Sequence, residues 1–358
     1  MPFLSLTLNN FRNLKNDTIN LLSKEIYFIG ENGQGKSNLL EAVYMSSYAS
    51  SFRTRSENEI IKNGENFYSV KGFFKEDNEK TDTVTVSYSE GKKKIEKNFK
   101  KITDRKELIN TIPCVLFCHD DLDFAVGEPE RRRFFVDQCL TMYDPLYLDC
   151  LRKYKKILKS RNTVLKEKKF EMAEIYNQPL INEGLIIQSK RKNAVYQFNR
   201  IFGELYFNVT GIENVSVCYE PSWKSYEPSE VMALLEEKKE VDCLMGTTMT
   251  GPHRDRIKFV KDKKPFIPTA STGQRRLTAL ILRIAQAVYY TEITGKKPVL
   301  LMDDVFLELD PDKRQKVIAL LPEYDQLFCT FLPGEPYERY MHSTTKIYKI
   351  ENGSWNEN

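Results

Sequence analysis

The sequence predicts an α/β fold with an inserted helical segment, on three observations. A continuous apolar run of strand length, Ile26 to Ile29, stops at a glycine-rich polar loop, and Leu39, Leu40, Val43 and Tyr44 then follow at helical spacing. A second apolar run, Val299 to Met302, ends in the acid pair Asp303-Asp304. Open α/β sheets place ligands at such C-terminal strand ends. Between the two runs, from about Cys139 onward, the chain becomes long, amphipathic and helical in pattern.

In chain order, Phe3, Leu4, Leu6 and Leu8 read as an opening strand ended by Asn9-Asn10. From about Phe67 to Phe99, β-branched and aromatic residues alternate with polar ones, and Gly72, Asn78 and Gly91 punctuate them, which predicts an antiparallel sheet with hairpins. Cys114 to Cys118 reads as a buried strand. Leu151, Tyr154, Leu158 and Leu165 mark one amphipathic helix, with Asn162 as a candidate interruption. A second helix runs from about Ala173 to Phe207 on the stripe Leu180, Ile187, Phe198, Phe202 and Leu205. The two are expected to form an antiparallel pair, an arm projecting from the body. Val215–Tyr219 and Ile257–Val260 read as strands, and Arg275 to Tyr290 as a strong helix. Val299–Met302 is the last core strand this pattern gives, and the polar tail from Glu351 to Asn358 is expected to fray. Three segments follow: 1–138, the first half of the nucleotide-binding body; 139–210, the helical insertion; and 211–358, the closing part.

Composition narrows the class. The chain has 358 residues, 41% hydrophobic and 29% charged, enough for one or two globular domains. No apolar run is long enough to span a bilayer. The opening MPFLSLTLNNFRNL lacks the pattern of a secretory signal, so a cytoplasmic setting without a membrane partner is expected. Seven scattered cysteines and three histidines, His119, His253 and His342, form no zinc pattern and no disulfide framework. A net charge of +4 does not by itself announce nucleic acid, but basic clusters stand at Lys92–Lys94, Arg131–Arg133, Arg152–Lys159 and Lys166–Lys169.

The motifs carry the chemistry. Gly30-Glu31-Asn32-Gly33-Gln34-Gly35-Lys36-Ser37 fits G-x-x-x-x-G-K-[ST] between a strand and a helix. Its glycines let backbone N–H groups wrap phosphates, and the helix end adds positive charge. Lys36 should reach the β- and γ-phosphates, and Ser37 should hold Mg²⁺. Asp303 should bind Mg²⁺ through water, while Asp304 orients or deprotonates the attacking water. Ser271-Thr272-Gly273-Gln274 opens a helix and suits either an ordinary cap or a second phosphate-binding end. Because a P-loop subunit already has its own cradle, the second reading implies two chains with ATP between them. Asp310 suits the N-cap and Pro311 the first turn of a following helix. Spacing assigns no role to Gly251-Pro252-His253-Arg254-Asp255, and Glu130-Arg131-Arg132-Arg133 suits either a DNA-facing patch or a set of surface ion pairs.

Taken in order, NFRN, GENGQGKSNLLEA, SFRTR, ERRRF, GPHRD, STGQRR and VLLMDDVFLELD resemble the RecF family of DNA replication and repair proteins along nearly the whole chain. The resemblance implies an ABC-type P-loop ATPase head related to SMC heads, a mixed sheet with an inserted helical arm or second lobe. It implies that Gly30 to Ser37, with Asn38, form Walker A, and that Asp303 and Asp304 form Walker B with its catalytic acid. Ser271, Gly273 and Gln274 become the signature that meets ATP across a dimer, and Asp310 the D-loop acid. Arg53 is similar to an arginine near phosphate or DNA in such heads, and Arg131, Arg132 and Arg133 are carried as DNA contacts. The cofactors implied are ATP and Mg²⁺. The partners implied are single- and double-stranded DNA, a second copy bound with ATP, RecO and RecR, and through them RecA, in repair and the SOS response.

Three departures matter. Phe117-Cys118-His119-Asp120-Asp121-Leu122 stands where the family shows F-S-P-E-D-L, in the nucleotide-sensing loop. Arg256 follows Asp255 where a second acid is usual. No histidine follows Leu327–Thr330, so a switch histidine is missing and slow hydrolysis is expected. Two other classes compete. A transport-energising ATPase keeps its motifs closer than Lys36 and Ser271, which stand 235 positions apart. A nuclease-linked head of the OLD type needs a further acidic domain, for which the sequence after Asp304 is too short.

Overall fold

The computed structural model describes residues 2–75, 80–109, 111–306 and 309–357. The chain forms two compact units, one of Met1–Asp120 with Tyr290–Asn358 and the other of Asp121–Tyr289.

The first unit is built on two sheets. One is mixed and six-stranded, in the order Ser354–Glu357, Lys346–Glu351, Glu25–Ile29, Gln326–Phe331, Val299–Met302, Cys114–Phe117. Four of its five pairings run parallel, and the terminal hairpin runs antiparallel. Glu25–Ile29, Gln326–Phe331, Val299–Met302 and Cys114–Phe117 are buried at every position, as parallel strands covered on both faces must be. The other sheet is antiparallel and contains Asp17–Asn20, Phe3–Asn9, Phe67–Lys75, Thr81–Ser89, Lys92–Lys97 and Lys100–Lys101 in that order. Tyr68, Val70, Phe74, Val84 and Val86 supply its inward face, in the predicted alternation. One apolar core joins both sheets to the helix Lys36–Tyr48. That helix buries Leu39, Leu40, Ala42, Val43 and Met45 around more than one face, because it is covered on several sides.

The second unit contains a three-stranded antiparallel sheet, Lys264–Pro265, Arg256–Lys261 and Val215–Glu220. Its longest helices are Pro145–Lys166 and Asn177–Thr210. Their contacts fix an antiparallel pairing: Lys190 meets Asp144, Cys150 meets the Glu183 carbonyl, and Arg161 meets Asn177. The first helix is unbroken at Asn162, whose side chain instead accepts bonds from the Thr248 N–H and hydroxyl at 2.8 and 2.7 Å. Gly184 leaves room on the second helix for buried Trp223; an added Cβ would lie 2.4 Å from that indole.

The compact division falls elsewhere than the segment 139–210. Asn199 on the long helix exchanges two hydrogen bonds, at 2.7 and 2.8 Å, with the backbone of Val217. Helix and strand are thus stitched across the expected boundary, and the unit closes only at Tyr289. The tail also departs from expectation. Ser354–Glu357 pairs with Lys346–Glu351, and Trp355 is buried. Asn352 and Gly353, both at positive φ, make the turn, a conformation Asn-Gly adopts readily. The strand Gln326–Phe331, which the sequence pattern did not single out, lies at the centre of the mixed sheet.

Candidate nucleotide-binding site

Gly30 to Ser37 link the buried strand Glu25–Ile29 to the helix Lys36–Tyr48. Gly33 (φ 78°) and Gly35 (φ 117°) occupy the left-handed region, where a side chain is strained. At Gly30 the constraint is space, because a Cβ would stand 2.4 Å from the Ile350 carbonyl oxygen. Lys36 is buried, and its Nζ donates to the Gly30 and Glu31 carbonyls at 2.7 and 3.3 Å. Positive φ, a helix N-terminus and a buried ammonium together make an anion cradle.

Asp303 emerges from the end of Val299–Met302 and accepts a 2.8 Å bond from Ser37 Oγ. Burial raises its carboxyl above the usual carboxylate range, the Ser37 hydroxyl opposes that, and the neighbouring Asp304 charge adds to it. A hydroxyl and a carboxylate at this spacing are hard oxygen donors of the kind Mg²⁺ takes beside nucleotide phosphates. Asp304 adopts φ 51°. Its N–H donates to Thr330 Oγ1 at 2.8 Å, and its Oδ1 lies 2.8 Å from the same hydroxyl.

Two parts of the site escaped the sequence reading. Arg12 of NFRN forks onto the fully buried Glu41 of the P-loop helix, with Nε and Nη2 at 2.9 and 2.8 Å. Asn13 bonds the Gly33 carbonyl and Asn38, at 3.3 and 2.7 Å. Arg53 donates to Asn38 Oδ1 at 2.6 Å and stands 3.6 Å from Glu41. Arg12, Asn13, Asn38, Arg53 and Lys62 line an open cleft of about 410 Å³. The second is the terminal turn: the Gly353 and Asn352 N–H groups hold the Gln34 carbonyl and side chain at 2.9 and 2.6 Å. An Asn-Gly pair between alternating residues was the available signal.

In the second unit, Ser271 and Gln274 form a reciprocal capping box. The Ser271 N–H donates to Gln274 Oε1 at 2.8 Å, and the Gln274 N–H donates to Ser271 Oγ at 3.2 Å. Ser271, Thr272 and Gly273 are exposed, and a Cβ on Gly273 would meet no atom within 4 Å. The 23-residue helix Thr272–Thr294 thus presents an open N-terminus. Asp310 caps Pro311–Ala319 by accepting from the Lys313 N–H at 3.0 Å. Leu307 and Glu308, like the expected turn residue Asn78, lie outside the described residues.

The arginine run divides. Arg133 donates to the Asp255 carbonyl at 2.8 Å and Arg132 to the Ala125 carbonyl at 3.2 Å, both half-buried. Each of those bonds ties one edge of a guanidinium to the fold of this unit. Arg131 alone is exposed, beside Asp123 at 3.6 Å. GPHRD contributes a buried carboxylate to the packing of this unit. Asp255 is fully buried and accepts from Arg191, Tyr219 and the Ser222 N–H at 2.9, 2.6 and 2.8 Å. In the stretch Phe117–Leu122, Asp121 is buried in an ion pair with Arg283 at 2.7 Å.

His253 sits between the Thr248 carbonyl and the Tyr154 hydroxyl, at 2.9 and 2.7 Å. Burial pushes its imidazole down to about 4, and nearby arginines add to that. The unfolded chain therefore binds more protons than the folded one between about 6.5 and 4. Stability from this residue is complete above about 6.5 and is lost as pH falls to 4, by up to about 3 kcal/mol. Urea unfolding at pH 7 and pH 4.5 should show a smaller acid loss for His253→Gln than for the unaltered chain; equal losses would refute the assignment.

Comparison with known proteins gives the family and the fold. The family model described as the RecF/RecN/SMC N terminal domain matches residues 3–356. The DNA replication and repair protein RecF of Treponema pallidum is 48% identical over 354 residues, covering 98% of this chain and 100% of that protein. The chain belongs to the RecF family. A solved structure of the recombination mediator RecF with ATP is 27% identical, with a TM-score of 0.90, over 100% of this chain and 97% of that one. An SMC head bound to the C-terminal winged-helix domain of ScpA matches at TM-score 0.59 and 15% identity, over 100% of this chain and 97% of that one. The fold is that of an ABC-type ATPase head, as the RecF resemblance implied.

Proposed function

We propose that this chain is an ATP-gated DNA-binding protein of recombinational repair and replication, closing as a dimer around ATP and hydrolysing it slowly to ADP and phosphate. The observation that carries the reading is the exposed N-terminus at Ser271–Gln274 in a chain that already has its own phosphate cradle at Gly30–Ser37. A free helix end of this kind suits the γ-phosphate held by a second copy.

In this reading Gly30 to Asn38 hold the nucleotide, with Lys36 at the β- and γ-phosphates. Ser37 and Asp303 would hold Mg²⁺, which supplies neutralisation of phosphate charge. Asp304 positions or deprotonates the attacking water. Ser271, Gly273, Gln274 and Asp310 of one copy complete the site of the other. Arg53, Arg131, Arg132 and Arg133 are the candidates for DNA phosphate, Arg53 and Arg131 being the exposed ones. The family relationship supports DNA as the partner, single- and double-stranded and at gaps, with RecO, RecR and indirectly RecA in one cytoplasmic pathway. Among the described residues no helix is long and apolar enough to cross a membrane.

Sedimentation with and without ATP and gapped DNA tests nucleotide, dimer and DNA together. The unaltered chain should dimerise and bind DNA only with ATP, and its affinity should fall as salt rises. Lys36→Ala should stay monomeric. DNA affinity indifferent to ATP in both proteins would end the gating idea.

A further inference from the structure

We infer that Thr330 is the positioning residue for Asp304, setting the catalytic acid from the end of the neighbouring strand. The inference rests on the hydrolytic role of Asp304 given above.

Thr330 is the fifth residue of Gln326–Phe331, a strand buried at all six positions. Val299–Met302, which delivers the acid pair, lies beside it in parallel, with Met302 opposite Cys329. That register sets Thr330 one step beyond the last paired residue, level with the acids. Its β-branched side chain is stiff about χ1, so the hydroxyl has a fixed place. The residue is 3% exposed.

The hydroxyl touches both acids. It accepts the Asp304 N–H at 2.8 Å and lies 2.8 Å from Asp304 Oδ1 and 3.3 Å from Asp303 Oδ1. A hydroxyl has one proton to give. Asp303 Oδ1 already accepts from Ser37 Oγ at 2.8 Å, so the shorter contact takes the Thr330 proton to Asp304. One side chain therefore grips Asp304 at two points, backbone and carboxylate. This matters because Asp304 holds φ 51°, a conformation few non-glycine residues adopt, and the two bonds fix it there. Released from Thr330, the carboxylate can turn away while the P-loop, Lys36 and Ser37 stay in place. An effect on turnover with little effect on nucleotide binding follows, since a small misplacement of a catalytic group costs about a hundredfold.

The test compares the full chain with Thr330→Val and Thr330→Ser. ATP hydrolysis is measured with Mg²⁺ and duplex DNA, nucleotide Kd with a fluorescent ATP analogue, and folding by thermal melting. Valine keeps the shape and removes the oxygen, and should lower kcat by about ten- to a hundredfold with Kd within about threefold. Serine restores the oxygen and should recover most of kcat. The inference is overturned if Thr330→Val turns over normally, if its loss appears in Kd instead of kcat, or if Thr330→Ser, melting as the unaltered chain does, falls as far as valine. An unaltered chain that binds ATP but never hydrolyses it overturns the role of Asp304 itself, and this inference with it.

Discussion

Arg191→Ala should destabilise the 121–289 unit by about 3–5 kcal/mol, a large part of the stability such a unit has. The guanidinium is 3% exposed and bridges two buried carboxylates, Asp137 through Nε and Nη2 at 2.9 and 3.0 Å and Asp255 through Nη1 at 2.9 Å. It also donates to the Pro252 carbonyl at 2.7 Å. Burial alone would lower its pKa, but Asp137, Tyr147 and Asp255 outweigh burial and hold it well above the ordinary arginine value. Removing it leaves two carboxylates deep in the unit without their bridging cation, held by neutral donors such as Tyr147, Tyr219 and the Ser222 N–H. Lysine keeps the charge but not the fork, so Arg191→Lys should fall between alanine and the unaltered chain. Guanidinium chloride unfolding followed by Trp223 fluorescence, in a Trp355→Phe background, reports on this unit because Trp223 is fully buried within it. A midpoint change equivalent to less than about 1 kcal/mol would mean that the network relaxes or admits water.

This network also shows where sequence reading stops. The P-loop, the Asp pair and the helix opening at Ser271 are local objects, whose residues act on their own strand ends and helix turns, so spacing finds them. Arg191 and Asp255 are 64 positions apart, and Arg133 and Asp255 are 122 apart. No short-range pattern relates them, so GPHRD had no readable role and ERRRF read equally as DNA patch or ion pairs. The terminal hairpin failed for another reason. Its exposed polar residues dominate the composition, while the buried positions, Tyr348, Ile350 and Trp355, are spread across a turn. Thr330 was noticed only as the end of the stretch after which a histidine is missing. Its hydroxyl gains meaning from register alone, because the strand Gln326–Phe331 lies against the strand that ends in Asp303-Asp304.

Asp304→Asn should bind ATP with Kd within about threefold of the unaltered chain, lose about 10²- to 10⁴-fold in hydrolysis, and accumulate as the closed dimer. The substitution suits the backbone, because asparagine tolerates positive φ as well as aspartate does. It also keeps an oxygen that can accept from the Thr330 hydroxyl and an N–H that can donate to it. What it removes is the charge that would orient water or take its proton. The phosphate cradle at Gly30–Lys36 and the Ser37–Asp303 pair are untouched. If hydrolysis is the route out of the closed state, blocking it leaves association unopposed, and sedimentation at saturating ATP should show the dimer persisting after the unaltered chain has reverted to monomer. Asp303→Asn makes the contrast, since it weakens the pair suited to Mg²⁺ and should reduce nucleotide-dependent dimerisation. An Asp304→Asn chain that binds ATP yet stays monomeric would separate the cradle from the clamp. The exposed cap at Ser271–Gln274 would then need another anion than the γ-phosphate of a second copy.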